Sequence, residues 1–219
     1  MAGIKELAIY RNKVCGGCLY SWDYPTVRED LLSPVQKLYY FEINECPTCR
    51  CIGTDITQVG DYEKNIQNDK EYKSIKQTRN IPFSFVSKKE AYEYALFAYI
   101  CAKRGDYYLM AKAYVMAAYI EGDQRYKYIN SLSYNSDKDG ELISASEVTQ
   151  NMYYNRALAA LDNCDEQEVN KAQKLLLTAY IYKCLNNSEE VKRVLNLVAK
   201  MKLTDLQVAT VKELVGVKN

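Results

Sequence analysis

Residues 91–120, AYEYALFAYICAKRGDYYLMAKAYVMAAYI, carry the clearest structural pattern of the chain. Its small and aromatic residues recur at steps of three and four, as one apolar face of an α-helix requires; they are Ala91, Tyr94, Ala95, Ala98, Tyr99 and Ala102. Arg104-Gly105-Asp106 interrupts the pattern, which resumes from Tyr107 to Ile120. The stretch therefore predicts two helices joined by a tight turn.

Helical patterns continue towards the C-terminus. They predict helices over 144–163, 165–185 and 188–201, with Asn186-Asn187-Ser188 ending one helix and starting the next. Thr204-Asp-Leu-Gln207 has the spacing of a capping box for a last helix, and Ser87-Lys-Lys-Glu90 has it for the first. The polar stretch 123–140 is predicted to connect two helices.

The N-terminal part has shorter and more broken patterns. Residues 38–43, LYYFEI, are rich in β-prone side chains and predict a strand. Residues 58–84 are polar and lysine-rich and predict a connecting segment with one short helix over 62–78. We expect a metal-binding module at 1–57, a connecting segment at 58–84 and a helical-hairpin domain at 85–219. The predicted fold class is mainly α, with a small N-terminal β-rich module.

Two cysteine pairs, Cys15-Gly-Gly-Cys18 and Cys46-Pro-Thr-Cys49, lie in that N-terminal part. Each pair can form a tight turn that presents two thiolates to one metal ion, and two such turns complete a tetrahedral site. Zinc held by four thiolates is a closed structural site with no open position for water. The sequence therefore predicts a structural zinc ion bound by Cys15, Cys18, Cys46 and Cys49, with iron as the alternative.

Other cysteines need a separate interpretation. Cys51 follows the second pair in Cys49-Arg50-Cys51, and it is either a spare thiol or a substitute ligand. Cys101, Cys164 and Cys184 stand alone in apolar surroundings and are expected to be small buried side chains. Residues 1–13 contain no continuous hydrophobic stretch typical of a signal peptide, so we expect a reducing cytoplasm and metal binding instead of disulfides.

Composition argues against catalysis and leaves the partner open. The chain has no histidine, so it offers no imidazole base and no mixed His/Cys catalytic zinc site. It also lacks a G-x-x-x-x-G-K-[ST] phosphate loop. We expect a noncatalytic protein, not an enzyme, that binds a protein or peptide and does not enter a membrane. The sequence does not indicate the oligomeric state.

Nucleic-acid binding is an alternative that the formal net charge of +1 does not favour. In that interpretation exposed aromatic residues of the N-terminal module would stack on bases, and nearby cations would contact phosphates. The aromatic residues are Tyr20, Trp22, Tyr24, Tyr39 and Tyr40, and the cations are Arg11, Lys13, Arg28 and Lys37. The competing interpretation is that most of these aromatic residues are buried.

Three family resemblances extend this interpretation. Ala98, the Gly105-Asp106-Tyr107 turn, Tyr114 and Ala117 give the hairpin a resemblance to tetratricopeptide repeats, which implies stacked helical hairpins with a partner-binding groove. The two cysteine pairs also resemble those of rubredoxins, which implies electron transfer at one iron ion. Rubredoxins typically have glycine directly after each pair, where this chain has Leu19 and Arg50.

The combination of both halves resembles a bacterial family, common in Firmicutes, that is known only as a domain of unknown function. Its members join a zinc-ribbon-like N-terminus to tetratricopeptide-like helices, and the second cysteine pair is usually followed by Gly-Tyr. This chain has Arg50-Cys51 at that place. The resemblance implies a zinc-ribbon-like module on helical hairpins, and it implies no catalytic activity.

Overall fold

A computed structural model describes residues 8–15, 18–55, 65–73, 89–123, 139–165 and 169–216. Over these ranges the protein is mainly helical, with short two-stranded sheets near the N-terminus, which confirms the predicted fold class. No helix within the same ranges has the length and apolarity that crossing a bilayer requires.

Two antiparallel hairpins form the strand-containing part. Strand β1 (Ala8–Val14) pairs with β2 (Ser21–Val27), and Val14 lies opposite Ser21. Strand β3 (Asn44–Glu45) pairs with β4 (Ile52–Gly53), and Glu45 lies opposite Ile52. Residues 15–20 and 46–51 are therefore the two connecting turns, and each contains one cysteine pair.

The strand predicted over 38–43 is wrong. A 3₁₀ turn, Glu29–Leu31, is followed by the single helical turn α1 (Gln36–Tyr39). The Gln36 amide donates to Ser33 Oγ at 3.1 Å, and the Ser33 amide donates to Gln36 Oε1 at 2.9 Å. This reciprocal pair is the hydrogen-bond arrangement of a capping box, and it stabilises helical over extended backbone.

Long helices follow in a first hairpin. Helix α2 (Lys89–Arg104) and helix α3 (Tyr107–Gly122) are joined by Gly105, whose φ of +74° suits a residue without a Cβ atom. The Asp106 carboxylate caps α3 by accepting from the Leu109 amide at 3.1 Å. The predicted hairpin is therefore confirmed.

Helix α4 (Asp139–Asn163) packs along α3, where the Tyr114 and Tyr153 rings stack with centroids 6.1 Å apart.

A second hairpin comprises α5 (Lys171–Cys184) and α6 (Ser188–Val198) and is followed by α7 (Asp205–Val215). Asn186 has a positive φ of 58°, and the Asn187 side chain accepts from the Glu190 amide. The predicted stop and restart at these asparagines is confirmed. The predicted capping box of α7 is also confirmed, since Thr204 and Gln207 make both of its hydrogen bonds.

Several predicted boundaries differ from the structure or fall outside its described residues. Helix α4 begins at Asp139, earlier than the predicted 144, and α5 begins at Lys171 instead of 165. The Asn170 side chain accepts from the Ala172 amide, which sets the later start of α5. The predicted helix over 62–78 is represented by a 3₁₀ turn, Ile66–Asn68, and a helical turn at 70–73. Ser87 and residues 124–138 lie outside the described ranges.

The core joins α1 to the long helices. Helix α1 packs against α3 and α5, and the Tyr39 side chain, only 2% exposed, stacks on Tyr180 with ring centroids 5.0 Å apart. Ile43 and Ile52, on either side of the second cysteine pair, are buried in this same core. The second hairpin is thereby anchored to the helices.

Candidate metal centre

The two cysteine-containing turns have the same backbone hydrogen bonds. In the first, the Leu19 amide donates to the Cys15 carbonyl at 2.7 Å, and the Cys15 amide donates to the Tyr20 carbonyl at 2.9 Å. In the second, the Arg50 amide donates to the Cys46 carbonyl at 2.9 Å, and the Cys46 amide donates to the Cys51 carbonyl at 2.8 Å. We call them knuckle 1 (residues 15–20) and knuckle 2 (residues 46–51).

Both knuckles bend at the residue after the second cysteine. Leu19 and Arg50 each have a φ of 62°, in the left-handed region that glycine adopts most readily. A left-handed residue with a Cβ atom costs about 1 kcal/mol or more. The chain therefore makes the bend that rubredoxins make with glycine, but with side chains that carry a conformational cost.

The four paired cysteines converge on one point. The Sγ atoms of Cys15, Cys18, Cys46 and Cys49 all lie within 4.8 Å of one another. Two contacts cross between the knuckles, since Cys15 Sγ lies 3.6 Å from Cys49 Sγ and Cys18 Sγ lies 3.6 Å from Cys46 Sγ. All eight cysteines lie in the described ranges, and they form no disulfide.

This arrangement fits a tetrahedral metal site. A metal–sulfur bond of about 2.3 Å gives sulfur–sulfur edges of about 3.8 Å in a regular tetrahedron, close to the two crossing distances. Four cysteine sulfurs are soft donors that suit zinc or iron. The four residues can therefore hold a metal ion, and the geometry of the sulfurs is common to both metals.

Backbone amides support the sulfurs of knuckle 2. Burial by itself raises the pKa of Cys46, but amide N–H groups of Cys49 and Thr48 and the thiols of Cys18 and Cys49 outweigh it and lower the pKa to about 7. Burial raises the pKa of Cys49 despite a hydrogen bond from the Cys51 amide. Amides directed at sulfur are the donors that a site with four negative sulfurs requires. The corresponding residues of knuckle 1, Gly16 and Gly17, lie outside the described ranges.

Cys51 lies beside this centre but not among its four convergent sulfurs. Its side chain is 4% exposed and packs in one cluster with Cys15, Cys46 and Cys49. It occupies the position in knuckle 2 that Tyr20 occupies in knuckle 1. A role as substitute ligand stays a prediction.

The lone cysteines lie far along the helical part of the chain. Cys101 is 1% exposed and Cys164 is 5% exposed, and burial raises the pKa of the Cys101 thiol. These two behave as the small buried side chains that the sequence predicts. Cys184 is half-buried at the end of α5.

The four paired cysteines differ in exposure. Cys15 and Cys46 are fully buried, Cys49 is half-buried, and Cys18 is exposed. Exposed apolar residues lie close to Cys18 in the chain: Leu19 is 77% exposed, Tyr20 is 45% exposed and Val14 is 43% exposed. We call Val14, Leu19 and Tyr20 the apolar rim. Sequence patterns did not indicate this surface, although an apolar Leu-Tyr after a metal-binding pair is a signal that could have suggested it.

Among the residues that would contact nucleic acid, Tyr20 is exposed, whereas two other aromatic residues are buried. Tyr39 and Tyr40 are buried in the core, so they cannot stack on bases. Each described cation has an acidic neighbour: Lys13 pairs with Glu42 at 3.3 Å, Arg28 pairs with Asp30 at 2.6 Å, and Lys37 lines a groove with Glu29 and Asp30. For Arg11, Trp22 and Tyr24 the structure describes the backbone but not the side chains. These acidic neighbours oppose the approach of a phosphate backbone.

Fold and site together define a mainly helical protein with a candidate four-cysteine metal centre near its N-terminus. Comparison with known proteins returned no match among family models, curated proteins or solved structures.

Proposed function

We propose that this protein is a noncatalytic, zinc-stabilised interaction protein of the cytoplasm that binds a partner protein or peptide. The observation that carries the proposal is the convergence of four cysteine sulfurs from two equivalent knuckles. Four sulfur ligands close a zinc site and leave no position for a reacting water molecule, so such a metal ion stabilises structure.

Zinc is favoured over iron because the chain lacks the strong acidity of rubredoxin electron carriers, with a formal net charge of +1. A zinc ion held by the centre would join two chain segments. Knuckle 1 belongs to the hairpin β1–β2, which we call the outer hairpin, whereas knuckle 2 is flanked by core residues Ile43 and Ile52. The metal ion would therefore attach the outer hairpin to the helical part.

The apolar rim supports an interaction role. Leu19 combines a left-handed backbone with a side chain that is 77% exposed, so neither local conformation nor core packing explains a leucine there. Strained residues and exposed apolar groups are both concentrated at functional surfaces. We assign the rim as the surface that contacts apolar side chains of the partner protein.

The first test is metal content, measured on protein purified without a chelator or a metal-binding tag. One zinc ion per chain and no visible colour would support the proposal. Protein that carries no metal and fails to bind added zinc would contradict it.

A second test concerns the partner. Tagged wild-type protein and a Leu19→Ser/Tyr20→Ser variant would be compared as baits in native lysate, with quantitative mass spectrometry of the bound proteins. The matched control is Val208→Ser/Val215→Ser, which removes two exposed apolar residues of α7. A partner lost with the first variant and kept with the control supports the assignment. Equal recovery with both variants, or no specific partner, contradicts it.

A rubredoxin-like iron carrier is the second candidate. The left-handed bends of both knuckles and the exposure of Cys18 favour it, because electron transfer needs a metal site close to the surface. It predicts coloured protein with thiolate-to-iron absorption and reversible reduction. Colourless zinc protein would exclude this candidate for the purified form.

A further inference from the structure

The four convergent sulfurs are not equally accessible to reagents in water. Cys15 and Cys46 are 0% exposed, and Cys49 is half-buried. Cys18 alone among the four is exposed, in the turn between β1 and β2. A small molecule arriving from solvent therefore reaches Cys18 before the other three residues.

Cys18 also has a suitable second sulfur beside it. Its Sγ atom lies 3.6 Å from Cys46 Sγ, on the other knuckle. A disulfide requires about 2.05 Å, so a movement of about 1.5 Å would join the two atoms. Cys15 and Cys49 are separated by the same 3.6 Å, and each pair contains one fully buried cysteine, but Cys18 is exposed whereas Cys49 is half-buried.

We propose that Cys18 is an oxidation site of the metal centre, where a hydroperoxide converts the Cys18 and Cys46 thiolates into a disulfide and the metal ion is released. This inference rests on the proposed function, because bound metal keeps both sulfurs deprotonated. Oxidation of cysteine follows thiolate character and exposure, and it proceeds readily where a second cysteine can resolve the first product.

The reaction balances in two steps. The Cys18 thiolate attacks one oxygen of hydrogen peroxide, the O–O bond breaks, and hydroxide leaves and takes up one proton to become water, so that Cys18 becomes a sulfenic acid. The Cys46 thiolate then attacks the Cys18 sulfur, an S–S bond forms, and hydroxide leaves and is protonated to water. Two thiolates lose two electrons in total, and one peroxide is reduced to two waters.

The product keeps the two knuckles joined. A Cys18–Cys46 disulfide links the same two hairpins that the metal ion links, with a covalent bond in place of coordination. Glu42 adds contacts across this junction, since it pairs with Lys13 and accepts from the Val27 amide at 2.7 Å. The outer hairpin therefore stays attached after the metal ion leaves, and we expect the oxidised protein to remain folded.

The test uses the wild-type full-length protein, with its metal content measured first. Protein is treated with increasing hydrogen peroxide, released metal is followed with a chromogenic chelator, and disulfides are mapped by peptide mass spectrometry after thiol blocking. We expect a Cys18–Cys46 linkage as the first disulfide, with one metal ion lost for each disulfide formed. A different first disulfide, such as Cys15–Cys49 or Cys49–Cys51, would overturn the inference, as would a Cys18–Cys46 disulfide without metal loss.

The outcome also separates this inference from the proposed function. If the protein neither carries nor binds zinc, the proposed structural site fails and the inference falls with it. If zinc is bound but Cys18 is not the first cysteine oxidised, only the inference fails.

Cys51→Ser is the matched control, because Cys51 is a buried neighbour of the centre outside the four convergent sulfurs. We expect this variant to release metal at the wild-type rate and with the same first disulfide. Loss of the Cys18–Cys46 linkage in Cys51→Ser would show that this linkage forms by way of Cys51 and would overturn the assignment of Cys46 as the resolving thiol.

Discussion

Knuckle 1 and knuckle 2 share two backbone hydrogen bonds and a bend but differ in their surroundings. Both turns have the same pair of hydrogen bonds and the same φ of 62° after their second cysteine. Knuckle 1 displays an exposed cysteine and an apolar rim, whereas knuckle 2 is flanked in the chain by the buried residues Ile43 and Ile52. Local sequence therefore sets how each knuckle presents its sulfurs, and the surrounding fold sets how exposed and how stable each knuckle is.

Substituting one cysteine in each knuckle should have the largest effects on metal affinity and stability. Cys18→Ser and Cys46→Ser both remove one sulfur of four, so metal affinity should fall greatly in each. Structural zinc contributes roughly 10 kcal/mol or more of binding free energy in small domains, and loss of that contribution should release the outer hairpin while the long helices persist. Cys46→Ser should lower the melting temperature more, because Cys46 is fully buried beside the core.

Metal analysis, circular dichroism and limited proteolysis would measure these effects. Cleavage should appear in residues 8–27 in both variants, with most helical signal retained. Complete loss of the helical signal would refute the expectation that the long helices fold without the metal ion. A Cys18→Ser/Cys51→Ser double variant tests the substitute ligand: if Cys51 replaces Cys18, the double variant binds metal much more weakly than Cys18→Ser.

Truncating one apolar side chain beside each knuckle should give the next largest effect, a difference in the free energy of unfolding between the two variants. Ile52→Ala removes a side chain that is 2% exposed, and we expect a loss of about 2–5 kcal/mol in the free energy of unfolding. Leu19→Ala removes one that is 77% exposed and should change stability by less than about 0.5 kcal/mol. Chemical denaturation of metal-loaded protein measures both values. Equal losses would mean that knuckle 1 is also packed against other parts of the protein.

Glycine at the bend of each knuckle should stabilise the protein, by less than Ile52→Ala destabilises it. Leu19→Gly should add about 1 kcal/mol, because glycine adopts positive φ without steric cost. Arg50→Gly should add less, since it also removes the ion pair between Arg50 and Glu45 at 3.7 Å, worth up to about 1 kcal/mol at an exposed site.

Thermal unfolding would report both changes, and Thr48→Gly provides the control. Thr48 is exposed in knuckle 2 and does not have a positive φ, so glycine there should destabilise by up to about 1 kcal/mol. Destabilisation by Leu19→Gly would contradict a conformational cost at that position.

The smallest expected effect concerns the segment 69–72, which contains the buried side chain of Tyr72. Tyr72 is 1% exposed, and burial is the main cause that raises the pKa of its hydroxyl. The charges of Glu45 and Cys51 raise that pKa further. Tyr99 holds this segment from α2, with its hydroxyl 2.8 Å from Glu71 Oε2, and that hydrogen bond is the main cause that lowers the pKa of Glu71. Tyr99→Phe should therefore raise the Glu71 pKa towards its ordinary value.

The sign of the pH dependence follows from linkage. A carboxyl whose pKa is lowered on folding stabilises the protein above its unfolded pKa, and that stabilisation is lost as pH falls through the folded pKa. Tyr99→Phe should thus weaken the protein at neutral pH and match wild type in acid, and it should speed alkylation of Cys51. NMR titration of Glu71 and mass-spectrometric alkylation rates measure these effects. An unchanged Glu71 pKa would show that the hydrogen bond is not formed in solution.

Local signals predicted much of the helical part because they act over few residues. Gly105, Asn187 and the Thr204–Gln207 capping box each set a helix end through contacts within one turn. The Ser33–Gln36 pair is the same type of signal, but the β-prone residues 38–43 that follow it favour a strand. Tyr39 and Tyr40 have high strand propensity, yet packing against the helices outweighs it.

The sequence by itself determined the two knuckles, their four convergent cysteines and the helices with their caps, since each depends on residue types at fixed short spacings. Only the tertiary structure decided that Cys18 is exposed, that Cys51 is buried beside the centre, and that Tyr39 stacks on Tyr180. The physical reason is that burial is a collective property: it depends on which distant segments pack together, and no local pattern contains that information.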